Sequence, residues 1–138
     1  MSTATRARRQ VSLPGPGAEP PAISETEFLR QVLELAAMLG WSAAHFRPAL
    51  TARGWRTPVQ GNLGAGFPDL VLASPTRGRL LFVELKSDVG RVSADQAAVL
   101  AALEAAGARC YVWRPRDFDR ITEILQGLEE VNATEVTR

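Results

Sequence analysis

Residues 79–113 carry the pattern that most limits what this chain can fold into. Arg79 to Lys86 is strand-length, with an apolar run from Leu80 to Val83 that ends in the charged Glu84-Leu85-Lys86. Ser93 opens a helical segment running to about Ala106, where Gly107 stops it, and Arg109 to Trp113 form a second apolar strand. A strand, a helix and a strand in that order need a crossover connection, which makes the two strands parallel. The passage therefore predicts an α/β domain, because its sheet must have a helix on at least one face.

The preceding segments extend that sheet. Ser24 and Glu27 have the spacing of a capping box, and behind them Phe28, Val32, Leu35 and Leu39 recur at helical intervals up to Gly40. This predicts a first helix over residues 25–39. Residues 41–47 read as a short strand, and residues 48–66, rich in proline and glycine, as a long loop. Asp69 to Ala73, the turn Pro75-Thr76-Arg77-Gly78 and Arg79 to Lys86 form a hairpin. A last helix runs from Asp117 to about Leu128. The order is α-β-β-β-α-β-α, a mixed sheet flanked by helices. Residues 1–22, with Pro14, Pro16, Pro20 and Pro21 among glycines and arginines, read as a flexible basic arm. Residues 23–130 then make one domain and 131–138 a tail.

Composition narrows the function classes. The chain has 138 residues and a formal net charge of +1, ordinary for a globular protein. No apolar run approaches the ~18 residues of a membrane span, and the N-terminus lacks a signal-peptide core. Cys110 is alone, which excludes an intrachain disulfide and suits a reducing, cytoplasmic setting. Of the 16 basic residues, Lys86 is the only lysine; the rest are arginine. A coding bias towards GC-rich codons accounts for the arginines, and a lysine that survives it is a candidate for special chemistry.

The chemistry-bearing pattern surrounds that lysine. Side chains two apart on a strand share a face, so Glu84 and Lys86 project together, and the hairpin brings Asp69 beside them. Two carboxylates at a sheet end offer hard oxygen ligands for Mg²⁺ or Mn²⁺. The lysine would orient a water or neutralise a phosphate. A surface ion pair between Glu84 and Lys86 explains the same spacing, and both readings stay open on these residues alone. Basic residues at Arg47, Arg53, Arg56, Arg91 and Arg114 suit phosphate contacts, and Trp55 suits base stacking. Each is also an ordinary loop residue. His45 reads as a structural or DNA-facing residue, Trp41 and Trp113 as core, and Cys110 as a small buried hydrophobe.

Gly66-Phe67-Pro68-Asp69, Glu84-Leu85-Lys86 and Ser93-Ala94-Asp95-Gln96, in that order, resemble the PD-(D/E)XK nuclease superfamily. More narrowly they resemble its VRR-NUC (virus-type replication-repair nuclease) domains of phages and bacteria. The resemblance covers roughly residues 25–127. It implies a restriction-endonuclease-like αβββαβ core, with Asp69, Glu84 and the backbone carbonyl of Leu85 as metal ligands. It further implies Lys86 positioning the attacking water, Gln96 supporting the site, and Glu27 as the upstream acid, with Glu34 the other candidate on that helix. Gln96 and Glu27 each sit at the third position of a capping box, so capping alone explains either one.

The expected function is a Mg²⁺- or Mn²⁺-dependent DNA endonuclease. By analogy with Holliday-junction resolvases, it would be a homodimer acting on branched or duplex DNA in a bacterial or phage-infected cell. The alternatives are a non-catalytic DNA-binding module on the same fold, or the nuclease subunit of a larger replication, repair or restriction complex.

Overall fold

A computed structural model describes Gly17 and residues 22–46, 49–52, 54–56 and 59–128. The expected tail over 131–138 and nearly all of the expected arm over 1–22 lie outside these residues. The elements in chain order are α1 (Glu25–Met38), β1 (Ser42–His45), β2 (Ala49–Thr51), β3 (Gly54–Arg56), β4 (Leu70–Ser74), β5 (Arg79–Leu85), α2 (Ala94–Ala105), β6 (Arg109–Trp113) and α3 (Phe118–Gln126). A single 3₁₀ turn, Pro115–Asp117, leads into α3. Among the described residues, no helix is long and apolar enough to cross a membrane.

The sheet runs β1-β4-β5-β6, with the first two pairings antiparallel and β5-β6 parallel, as the crossover through α2 demands. This is the expected restriction-endonuclease-like core, a mixed sheet between helices. The segment 48–66 departs from the expected plain loop. Ala49 pairs with Arg56, Leu50 with Trp55 and Thr51 with Gly54, in a separate two-stranded ribbon. Three-residue strands are too short to show alternation, and the Ala52-Arg53 connection lacks the Asn-Gly or Asp-Gly signature of a tight hairpin turn.

Strand alternation divides β5 between two cores. Leu81, Val83 and Leu85 join Leu70, Leu72, Tyr111 and Trp113 on the face covered by α1 and α3. Phe28, Val32 and Ala36 supply the α1 layer, and Ile121, Ile124 and Leu125 the α3 layer. On the other face, Leu100 and Leu103 of α2 pack against Phe82, Cys110 and Val112. Cys110 is the buried apolar filler expected, and burial pushes its thiol up to about 11. The Leu80 side chain, within the apolar run, is instead half exposed on the part of this face that α2 does not reach.

Trp41 locks the far end of the domain. Its ring is buried and its Nε1–H donates to the Leu125 carbonyl at 2.8 Å, closing the last turn of α3 onto the start of β1. The Arg77 guanidinium lies 5.8 Å from the ring centroid and donates to the Leu39 carbonyl, tying the β4–β5 turn to the end of α1. Trp41→Phe keeps most of the ring volume and strands the Leu125 carbonyl. It should lower the unfolding free energy by about 1–2 kcal/mol, read from urea denaturation; an unchanged midpoint would show that water replaces the bond.

Candidate active site

The register of the β4–β5 hairpin builds the site. Leu70 pairs with Val83, so one further step sets Asp69 opposite Glu84 at the end of the paired region. Asp69 is held from both sides: its carbonyl accepts from Phe46 N at 2.9 Å, and its Oδ2 accepts from Leu85 N at 2.8 Å. Glu84 pairs with Val112 on the other side and points to the α2 face, where it is 2% exposed. Both acids therefore stand at the C-terminal end of the parallel β5–β6 pair, where open α/β sheets commonly bind ligands.

One oxygen of Glu84 gathers two partners. Gln96 Nε2 donates to Oε1 at 2.9 Å, and Lys86 Nζ lies 3.6 Å from the same atom. The ion pair that the sequence allowed is thus present, but it is largely buried. Oε2 is buried with no donor aimed at it.

Gln96 also completes its capping box, accepting from Ser93 N at 2.9 Å through Oε1 while its own N–H donates to Ser93 Oγ at 3.1 Å. The cap bond and the bond to Glu84 coexist, because the amide has one acceptor and one donor end.

The electrostatics follow from burial. Desolvation, then the Asp69 charge, pushes the Glu84 carboxyl up to about 8, with Lys86 only partly opposing. Desolvation also raises Asp69, against the Leu85 hydrogen bond and the nearby cation. Near neutral pH the two acids retain a proton between them unless a further cation arrives.

The residues fit a divalent ion on these grounds. Glu84 Oε2 is a buried oxygen without a partner, and the second carboxylate faces it across the hairpin. Among the described residues, no three of histidine, cysteine, aspartate and glutamate form a ready metal cage. Mg²⁺ does not require one, since it is commonly held by one or two carboxylates, with waters and substrate phosphates filling the rest.

The first-helix acid is where the structure corrects the sequence. Arg30 engages both Glu27 and Glu34 in a solvent-exposed network on α1, and its hydrogen bond, with its charge, holds the Glu27 carboxyl below the usual range. Glu25 turns towards the sheet instead. Its Oε1 accepts weakly from Ser87 N at 3.4 Å, and its charge contributes to raising Asp69. The capping spacing from Ser24 drew attention to Glu27, but Ser24 Oγ accepts only from the Glu27 backbone N–H. No sequence signal separates Glu25 from its neighbours; only the packing of α1 does.

A second correction concerns Arg114, which read as a phosphate contact. Its Nη1 donates at 2.6 Å to both the Ser87 and the Gly90 carbonyl. Arg116 donates to Asp88 through its backbone N–H and its side chain. Together with Glu25 they pin the turn that follows Lys86. Arg91 is exposed just beyond it. Arg47 and Arg53 lie outside the described residues, as do the side chains of Trp55 and Arg56 on β3. His45 is exposed at the end of β1, opposite Leu70.

Gly66 brings the two halves of the site together. At φ +82°, it approaches the first turn of α2 so closely that a Cβ would sit 2.5 Å from Asp95 C and 2.6 Å from Gln96 N. The glycine two residues before Pro68-Asp69 thus lets one strand's approach loop touch the helix that carries Gln96.

The sequence model of one family, described as the VRR-NUC domain, matches residues 21–117. No curated protein matches the chain. Among solved structures the chain is similar to Hjc of Archaeoglobus fulgidus, a Holliday junction resolvase from an archaeal hyperthermophile. The two are 24% identical over 67% of this chain and 66% of that one, with a TM-score of 0.42.

The raised carboxyl has a measurable consequence for stability. Between the ordinary glutamate value of 4.5 and about 8, the folded protein holds a proton at Glu84 that the unfolded chain has released. Stability in chelator should therefore be highest on the acidic side of this window and fall as pH rises through it. Mg²⁺ should restore it most at the alkaline end. Glu84→Gln should flatten the pH dependence and raise the melting temperature at pH values near 8; an unaltered slope in that variant would remove Glu84 as its source.

Proposed function

The chain belongs to the VRR-NUC domain family, and on that premise we propose that it is a divalent-metal-dependent DNA endonuclease hydrolysing phosphodiester bonds. The observation that carries this is the single cluster at the β5 end: Asp69 opposite a buried Glu84, with Lys86 and Gln96 both on Glu84 Oε1. Asp69, Glu84 and the Leu85 carbonyl would hold Mg²⁺ or Mn²⁺. A bound ion there supplies positive charge to the phosphate oxygens and lowers the pKa of water.

The chain's own groups have separate tasks in this proposal. Lys86 aims a compact ammonium at the attacking water and at the charge that builds on the phosphate. Gln96 fixes the orientation of Glu84 by donating to one oxygen, which leaves the other free for a ligand. Glu25 takes the place expected of Glu27, as the first-helix acid closest to the site. Arg91 follows the site in the chain, while Arg47, Arg53, Trp55 and Arg56 precede it, and all are assigned to the DNA strands on either side. One domain over 23–130 brings one such site, so symmetric cuts in branched DNA would require two copies. We extend the proposal to a homodimer that prefers branched DNA.

Asp69→Ala, Glu84→Ala and Lys86→Ala should each slow cleavage by about a hundredfold or more, measured on linear, nicked, flap and four-way-junction DNA with Mg²⁺ or Mn²⁺. Lys86→Arg should be nearly as slow, because it keeps the charge and changes its geometry. Parental rates in all four variants would sink the assignment.

Sedimentation in the presence of four-way-junction DNA should show two protein copies per junction. A single copy making both cuts would refute the dimer.

A further inference from the structure

The turn after Lys86 and the first half of α2 enclose a half-open cleft of about 360 Å³. It is lined by Gly90, Arg91, Val92, Ala97, Leu100 and Arg114. Two chain connections make it a neighbour of the site. Ala97 follows Gln96, whose Nε2 holds Glu84, and Gly90 closes the turn that begins directly after Lys86.

The walls differ in kind. Val92, Ala97 and Leu100 form an apolar side, with Leu100 rooted in the α2 core. Arg114 lines the cleft, yet its Nη1 is committed to the Ser87 and Gly90 carbonyls, so it stiffens the wall. Arg91 is exposed at the rim and offers a cation to whatever enters. Val89, 90% exposed on the same pinned turn, stands one residue from that rim.

An apolar slot with a guanidinium at its mouth complements a nucleotide, which joins an apolar-faced ring to an anion. The volume lies at the small end of the range for small-molecule sites, suited to a single unit. A base stacked and paired within a duplex cannot enter such a slot without leaving the stack. Resting on the nuclease reading above, we propose that the cleft binds one unpaired nucleotide of the DNA strand beside the bond to be cut. Its base lies against Val92, Ala97 and Leu100, and its phosphate meets Arg91. The substrate class is then DNA with an unpaired nucleotide at a branch, nick or end, and Val89 is placed to fill the gap that the base leaves in the stack.

The test reads binding without cleavage. The methyl NMR signals of Val92, Ala97 and Leu100 are followed while deoxyadenosine 5′-monophosphate, or inorganic phosphate alone, is added to the full chain in chelator. The mononucleotide should shift all three methyls and phosphate should not. Arg91→Ala and Ala97→Leu, which removes the cation and fills the slot respectively, should each weaken nucleotide binding by about tenfold. Because Arg91 is exposed, its variant decides the matter even if Ala97→Leu fails to fold.

The proposal is overturned if the mononucleotide leaves the methyls unmoved, if phosphate alone moves them equally, or if Arg91→Ala binds as tightly as the parent. Lys86→Ala separates this proposal from the nuclease reading. It should bind the mononucleotide as the parent does while cutting DNA about a hundredfold or more slowly. Continued cutting by that variant would remove Lys86 from the cleavage site and leave the cleft standing, whereas methyls unmoved in the parent would remove only the cleft.

Discussion

Two carboxylates face each other across one antiparallel pair, and the protein supplies only one ammonium between them. Their mutual repulsion and the loss of water around Glu84 make the doubly charged state costly without a further cation. The surrounding structure holds this arrangement in place. The β4–β5 register brings the acids opposite each other, and the crossover through α2 brings Gln96 onto Glu84. The Leu85 N–H fixes Asp69 so that it cannot swing away from its neighbour. The site is a stored electrostatic imbalance, kept by backbone geometry that was set far from the charges.

The parts legible in the sequence were those governed by strand period and connection. Glu84 and Lys86 share a face because they are two apart, and β5 runs parallel to β6 because a helix lies between them. The ribbon over residues 49–56 was not legible, since three-residue strands are shorter than any periodic signal. That Glu25, and not Glu27, turns towards the sheet depends on how α1 is rotated against it. Local spacing does not report that rotation, and the capping pattern at Ser24 drew attention to Glu27, whose side chain pairs with Arg30. Gln96 shows the opposite case. Its spacing serves the cap and a bond to Glu84 together, because a primary amide can accept at one end and donate at the other.

The unequal use of arginine and lysine also gains a structural meaning. Arg77, Arg114 and Arg116 bond to backbone carbonyls at turns, where a planar group with several fixed donors can bridge more than one acceptor. Arg30 bridges two carboxylates on the helix surface in the same fashion. Lys86 stands instead beside a buried carboxylate oxygen, where it presents a compact point charge rather than a planar fork. The fold employs several of the arginines as struts.

The doubly employed amide of Gln96 links the order of the site to motion at the end of a helix. The first turn of α2 is held by the exchange between Ser93 and Gln96, and the same side chain holds Glu84. Helix ends open locally far more often than whole domains unfold. Each such fraying event would release Glu84 from its oriented state while the sheet and both cores stayed intact. The lifetime of the assembled site is therefore set by one helix turn, on a clock separate from that of the domain.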